Sequence, residues 1–301
     1  MSDPQYPTPY NPEPYRPEPY TATHEAYRFP EAVAAPPPEL PKRYGLHIGL
    51  FLATVASTVL VGGWVFSATL LSILTAHEFG HYFTAKYHRV PATLPYFIPF
   101  PFSLFGTLGA VIRMSPRIPN RRALFDIAAA GPLAGLILAI PATYVGITYS
   151  EVVPKSSISE GMISLGEPLL FKGLSWLAHG PVGDNMDTIL HPMAFAGWAG
   201  MFVTALNLLP IGQLDGGHIA HALFGSRSRL MAMGMFAGLL GFSFIEHSFT
   251  WIPLLLLLFF FGIQHPRIRD DGRPLGAERR ALGLLLGAVF ITCFSLVPIQ
   301  L

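Results

Sequence analysis

The sequence predicts an all-α polytopic membrane protein, and three observations support this fold class. First, 51% of the 301 residues are hydrophobic and only 12% are charged, whereas soluble domains carry about 25% charged residues. Second, uncharged apolar stretches recur from Leu46 onward, and several approach the ~20 residues that cross a bilayer as a helix. Third, the basic residues concentrate in alternate loops between these stretches.

Seven apolar segments are candidate transmembrane helices, so we expect about six to seven crossings. They are 46–63, 65–87, 123–148, 192–212, 230–246, 249–264 and 281–299. The pair at 230–264 is short for two crossings, and the first two segments share almost no linker.

The loop charges predict the orientation in the membrane. If there are seven crossings, the loops on one side contain nearly all the basic residues, while the opposite loop, 149–191, has only Lys155 and Lys172 against five acidic residues. Because positively charged loops stay in the cytoplasm, we expect a cytoplasmic N-terminus. The first forty residues have no apolar core of the kind a signal peptide needs. With no organelle-targeting features, this favours a prokaryotic plasma membrane.

Residues 1–41 differ from the rest of the chain. They contain 12 of the 29 prolines, and Pro-Glu-Pro-Tyr occurs twice, starting at Pro12 and Pro17. This composition favours an extended or disordered chain. We therefore predict a disordered Pro/Tyr-rich cytoplasmic tail, which is either a flexible extension or a docking site for a partner that reads Pro or Tyr motifs. Residues 42–301 then form the membrane-embedded domain.

Two features exclude other classes of function. The formal net charge is only +1, so no basic surface indicates nucleic-acid binding. Cys293 is the single cysteine, which excludes an intramolecular disulfide and a cysteine-based zinc site.

The strongest functional pattern is His77-Glu78-Phe79-Gly80-His81, at the end of an apolar stretch. Residues i and i+4 of a helix share a face. His77 and His81 can therefore bind one zinc ion while Glu78 lies beside it, as in H-E-x-x-H metalloproteases. Polar groups inside apolar segments are costly and mark functional sites. The competing interpretation is a cluster that only forms hydrogen bonds within a helix bundle.

Catalytic zinc usually has three protein ligands, and the acidic residues near apolar segments are candidates for the third. Glu246 lies on the opposite side of the predicted membrane. Asp126 closely follows Arg121 and Arg122 and is predicted to pair with them. Asp215 remains, and it closes a segment on the same side as His77 and His81.

The surroundings of Asp215 are expected to break the helix there. The interrupting residues are Pro210, Gly212, Gly216 and Gly217. Broken backbone at membrane depth is tolerated where it lines a cavity, and it can aim a carboxylate at a metal. His218 or His221 could replace Asp215 as a ligand, although local hydrogen bonding is the favoured interpretation for both. The remaining histidines weighed here, at segment ends or in loops, are expected to be solvated: His88, His179, His191 and His265.

Together, the 77–81 motif and the run Asn207-Leu-Leu-Pro-Ile-Gly-Gln-Leu-Asp215-Gly-Gly-His218 resemble those of site-2 proteases, the intramembrane zinc metalloproteases of peptidase family M50. The resemblance covers about 45–265, which would be the catalytic core, with 281–299 as an extra C-terminal helix. It implies that His77, His81 and Asp215 hold zinc and that Glu78 is the catalytic acid and base. It also implies that Asn207 helps to hold the substrate or the oxyanion.

Other parts of the chain also resemble the family. Ala128–Gly135 is similar to its Gly-Pro motif, although Gly135 stands where the family often has Asn. Gly131 and Gly135 form a small-xxx-small pair, which predicts close helix packing. The loop 149–191 is too short for the PDZ domain that many members carry, and no CBS pair is expected.

The stretch Pro91–Met114 contains four prolines interleaved with aromatic residues, which excludes a long helix. The resemblance implies a membrane-associated β-hairpin or re-entrant segment here. Its strand edge could hold an extended substrate by β-addition. The alternative is an interfacial anchor rich in aromatic residues.

The expected function is hydrolysis, with one Zn²⁺ per chain, of a peptide bond in or beside a transmembrane helix of a membrane-anchored protein. The resemblance suggests a regulator as the substrate. An alternative from another class is a membrane metal transporter or metal-binding carrier, which predicts polar sites spread across the bilayer depth. A third interpretation is an inactive scaffold that works through the N-terminal tail.

Overall fold

The computed structural model describes residues 44–157, 163–246, 251–261 and 274–300. The predicted tail of residues 1–41 lies outside this part of the chain. Within it, there are eight α-helices and six short strands, in the order given below.

Helix α1, Tyr44–Tyr87, folds back on itself at Gly63. Phe51 and Thr75 line the same groove, although a straight helix would separate them by about 36 Å. Thr58 Oγ1 and Ser67 Oγ lie 2.6 Å apart across the bend. Gly63 has φ +77° and ψ 178°, a conformation that glycine adopts without steric cost. The bend falls where the sequence predicted the boundary between the first two segments.

A β-hairpin follows α1, as the sequence predicted for Pro91–Met114. Strands β1, Tyr96–Pro99, and β2, Thr107–Val111, are antiparallel. Ser57 Oγ of α1 donates a hydrogen bond of 2.6 Å to the carbonyl oxygen of Gly106. This bond holds the turn of the hairpin against the first arm of α1, the part of the helix that precedes Gly63.

Helix α2, Arg121–Thr148, is central and contacts α1, α4 and α5. Asn120 caps its N-terminus by accepting a hydrogen bond of 2.9 Å from the amide of Ala123, which satisfies an amide that the helix itself leaves unpaired. The buried side chains of α2 contribute to three hydrophobic clusters.

The loop 149–191 contains structure that the sequence did not predict. Strand β3, Glu151–Pro154, pairs antiparallel with β5, Met186–Ile189. Helix α3, Leu169–His179, lies between them in the chain. Strand β4, Ser164–Leu165, pairs with β6, Ile299–Gln300. The expectation of a single hairpin was therefore too simple, because these strands are too short for a visible alternation of side chains.

Five further helices follow β5 in the chain and precede β6. They are α4, Pro192–Asn207; α5, Asp215–Phe224; α6, Ser228–Ile245; α7, Ile252–Phe261; and α8, Ala277–Cys293. In the predicted segment 192–212 the helix thus ends early, at Asn207. In the predicted segment 281–299 the helix ends at Cys293.

Three helical runs in the described residues are long and apolar enough to cross a membrane: Tyr44–Tyr87, Arg121–Thr148 and Asp215–Ile245. This finding supports a membrane protein. The predicted six to seven crossings are not confirmed, since among the described residues α4 has 16 residues, α7 has 10 and α8 has 17, all shorter than the ~20 residues typical of a helix that spans a bilayer.

Candidate metal centre

Three side chains from two helices converge beside α2. His77 Nε2 and His81 Nε2 of α1 lie 3.1 Å apart, and Asp215 Oδ2 of α5 lies 3.4 and 3.3 Å from them. Both imidazoles are buried. The structure thus brings together the three residues that the sequence predicted as ligands.

A backbone carbonyl of α2 orients His81. Its Nδ1 lies 2.8 Å from the carbonyl oxygen of Ile127. A carbonyl oxygen can only accept, so Nδ1 donates, and the neutral ring keeps its lone pair on Nε2. Metal-binding histidines are commonly held by such a bond from the other ring nitrogen.

Asp215 reaches the site because the chain breaks between α4 and α5. Pro210 has no amide hydrogen to continue a helix, and Gly212 has φ +55°, which favours glycine. Asp215 is the first residue of α5, a position where the helix dipole stabilises a carboxylate.

Gly216 and Gly217 do not interrupt a helix, so that prediction was wrong. Both lie inside α5. A Cβ atom at Gly216 would overlap the carbonyl oxygen of Leu208, and one at Gly217 would overlap the carbonyl oxygen of Gly212. The two glycines therefore allow α5 to pack directly on the preceding break, which carries Asp215 toward α1.

A cavity of about 240 Å³ opens beside these three side chains. Glu78, Asn207 and His218 line it, and the side-chain amide nitrogen of Asn207 lies 3.2 Å from His77 Nε2. The cavity is also lined by apolar side chains of α2 and of the stretch from the end of β2 to Met114. His218 therefore shares the cavity, although the three converging donor atoms belong to the other residues.

The spacing of the donor atoms fits zinc. Zinc–nitrogen bonds are about 2.0–2.1 Å, so tetrahedral donors lie about 3.3 Å apart. The observed separations are 3.1, 3.3 and 3.4 Å. Two imidazoles and one carboxylate are also a donor set of catalytic zinc sites, and they leave a fourth position for water.

Asp126 does not pair with Arg121 and Arg122, so that prediction was wrong. Its carboxylate accepts two hydrogen bonds, of 2.7 and 2.8 Å, from Arg279 in α8. His88 Nε2 lies 3.0 Å from the same carboxylate. The two parallel bonds raise the pKa of Arg279, and such bidentate pairs are the strong ones.

The two arginines bind backbone carbonyls instead. Arg121 Nη2 donates a bond of 2.7 Å to the carbonyl oxygen of Ala222, in the last turn of α5. Arg122 donates to the carbonyl oxygen of Pro274 at 2.9 Å. The first contact ties α2 to the helix that carries Asp215.

Three histidines that were expected to be solvated are partly buried. His88 contacts Asp126, and His179 Nε2 lies 2.7 Å from the carbonyl oxygen of Ile147. His191 caps α4 by accepting a hydrogen bond of 3.3 Å from the amide of Met193. His265 lies outside the described residues.

The predicted close helix packing is confirmed at Gly131, where an added Cβ would overlap the ring of His81 of α1, whereas at Gly135 the nearest atoms, of His77, would lie at an ordinary contact distance of 3.4 Å. At Gly80 of α1, an added Cβ would lie 2.5 Å from the carbonyl oxygen of Ala130 and 3.1 Å from Cβ of Ala134. The sequence analysis did not single out Gly80 as a packing residue. Its place between the two histidines was the available signal, since a side chain there would point at a neighbouring helix.

In the described parts of the chain, His77, His81 and Asp215 are the group whose donor atoms lie close enough to share an ion. A transporter would have such groups spread along a path across the bilayer. The observed clustering therefore favours a single metal centre.

The sequence model of peptidase family M50 matches residues 65–242. The Oryza sativa subsp. japonica protein named "Probable zinc metalloprotease EGY1, chloroplastic" is 32% identical over 234 residues, or 76% of this chain and 40% of that protein. The Arabidopsis thaliana protein named "Probable zinc metallopeptidase EGY3, chloroplastic" is 31% identical over 252 residues, or 74% of this chain and 41% of that protein. This chain therefore spans about two fifths of the length of these relatives.

No solved structure matches the chain. The names of the relatives imply zinc, and they refer to chloroplasts, so they do not support the predicted prokaryotic plasma membrane. The match at 65–242 contains every residue of the metal centre, and the predicted resemblance is confirmed. The chain belongs to peptidase family M50.

Proposed function

We propose that this protein is an intramembrane zinc metalloprotease, which hydrolyses a peptide bond in or next to a transmembrane helix of a membrane-anchored substrate. The observation that carries the proposal is the convergence of His77, His81 and Asp215 beside a cavity lined by Glu78. This convergence occurs on helices long and apolar enough to cross a membrane. The loop charges support a cytoplasmic N-terminus.

The three ligands would hold one zinc ion per chain through His77 Nε2, His81 Nε2 and Asp215 Oδ2. Zinc bound there would supply a Lewis acid that polarises the scissile carbonyl and lowers the pKa of water. The Ile127 carbonyl contributes by keeping His81 Nε2 available for the metal.

Glu78 and Asn207 would carry out the proton transfer and the charge stabilisation. Glu78 follows His77 on α1 and lines the same cavity, so it can accept a proton from the attacking water and return it to the leaving amine. Asn207 lies at the end of α4 with its amide nitrogen directed to the same centre. Its amide hydrogens would stabilise the oxyanion of the tetrahedral intermediate.

The hairpin would hold the substrate. Ala110 and Val111 of β2 line the cavity, and β2 pairs on one edge only, with β1, within the described sheets. Peptide bonds inside a transmembrane helix are shielded by its own hydrogen bonds, so the substrate must unwind before cleavage. The free edge of β2 can then pair with the extended segment by β-addition.

Glu78→Gln tests this function most directly. The amide keeps the size of the side chain but cannot accept the proton, so cleavage of a membrane-anchored reporter in vesicles should fall about 10²- to 10⁴-fold. Zinc content of the purified protein should stay unchanged. Glu246→Gln is the matched control, because Glu246 is exposed at the end of α6 and this variant should cleave like the wild type. Undiminished cleavage by Glu78→Gln would refute the mechanism.

A further inference from the structure

One face of α2 lies directly against the two imidazoles of the metal centre. Ile127, Gly131 and Gly135 are four residues apart, so they share this face. The Ile127 carbonyl accepts a hydrogen bond of 2.8 Å from His81 Nδ1. A Cβ atom at Gly131 would overlap Nε2 and the adjacent ring carbons of His81, and one at Gly135 would lie 3.4 Å from Cβ and Nδ1 of His77.

The two glycines therefore differ in what they allow. At Gly135 the nearest atoms are at ordinary van der Waals distance, so a methyl group fits with little movement. At Gly131 the overlap is with Nε2 of His81, the atom that faces the donor atoms of His77 and Asp215.

His81 has little freedom to avoid an added methyl group. Its ring centroid lies 4.8 Å from that of His77, and Asp215 Oδ2 lies 3.3 Å from its Nε2. Rotation away from Gly131 would also break the bond from Nδ1 to Ile127. The ring can therefore leave Gly131 only by abandoning its place in the centre.

We propose that Gly131 is a positioning residue of the metal centre. The missing side chain at Gly131 sets the rotamer of His81, and the carbonyl of Ile127 sets its tautomer. The centre is thus built by three helices, although α2 contributes no ligand. The inference rests on the proposed function for the identity of the metal, but it concerns binding and not cleavage.

The test measures zinc affinity of the full chain in detergent, by competition with a chromophoric chelator. Gly131→Ala should bind zinc about 10- to 100-fold more weakly, the usual effect of losing a group that orients a ligand. Gly135→Ala should bind zinc like the wild type. Gly146→Ala controls for packing in general, because its Cβ would overlap the backbone of Ala194 at the other end of α2. This variant should lower the thermal midpoint and leave the zinc affinity of the folded protein unchanged.

A second measurement decides the outcome if Gly131→Ala does not fold. In a His81→Ala background the ring is gone, so adding Gly131→Ala should change the thermal midpoint of the metal-free protein little. Wild-type zinc affinity in Gly131→Ala, or failure of the double variant to fold where His81→Ala folds, would overturn the inference. Wild-type protein that binds zinc without cleaving any reporter would instead refute the proposed protease and leave the role of Gly131 standing.

Discussion

The two sides of the metal centre are built in different ways. On α1, His77 and His81 are four residues apart in a helix, so any helix of this sequence places them on one face. On the other side, Asp215 begins a ten-residue helix after a break in the chain. Its position depends on packing, since Gly216 lies against the Leu208 carbonyl and Arg121 holds the far end of α5. The relative positions of His77 and His81 are therefore set by local helix geometry, whereas the position of Asp215 depends on contacts between distant segments.

Removing Asp215 should lower zinc affinity more than any other change to the α5 side of the centre. Asp215→Ala deletes the donor that joins the two sides, so zinc affinity should fall by more than the 10- to 100-fold that loss of a supporting residue costs. Chelator competition on the purified chain measures this. His218→Ala is the matched variant, because His218 lines the same cavity three residues further along α5. If His218→Ala loses zinc while Asp215→Ala retains it, the third ligand is His218.

A smaller effect is expected at Gly216, where only the packing of α5 is changed. The methyl group of Gly216→Ala would overlap the Leu208 carbonyl, so α5 must shift, at a cost of about 1–3 kcal/mol in the free energy of unfolding. Zinc affinity should fall as well, because Asp215 is the neighbouring residue. Gly238→Ala, in α6 with no atom near the added Cβ, is the control and should not destabilise the protein. Equal thermal midpoints for the two variants would contradict the close packing of α5 on the break.

The smallest effect on the centre is expected at the bend of α1. Gly63→Ala places an alanine at φ +77° and ψ 178°, a region that costs non-glycine residues about 1–3 kcal/mol. The thermal midpoint should fall, but zinc affinity should not, because 64–87 carries both histidines as one helix. Gly49→Ala, which lies within the first arm of α1 and has open space around its Cβ, should show no loss. A drop in zinc affinity would show that the bend and the metal centre are coupled.

The parts of the fold that follow from local chain chemistry were predicted from the sequence. Four prolines in Pro91–Met114 excluded a helix, and the structure has a hairpin there. Pro210 and Gly212 predicted the break before Asp215, although α4 already ends at Asn207. The extra strand pairs were missed, because β4 and β6 have two residues each and lie far apart in the chain.

Errors at the site came from assuming that near neighbours pair. Asp126 was assigned to Arg121 and Arg122 because they lie one turn away, yet it binds Arg279 from α8. A bidentate guanidinium from another helix offers better geometry than flexible neighbours on the same helix. Gly216 was interpreted as a helix breaker, since sequence cannot distinguish a glycine needed for its backbone angles from one needed for close approach.

The sequence by itself determined which residues can bind a metal and that two of them share a helix face, because helical periodicity is a property of the local backbone. Its apolar stretches likewise determined that long helices suited to a bilayer would form. Only the tertiary structure decided that Asp215 meets these histidines and that Gly131 lies under His81. Those contacts join segments distant in the chain, and their geometry depends on how closely helices can pack once side chains are present or absent.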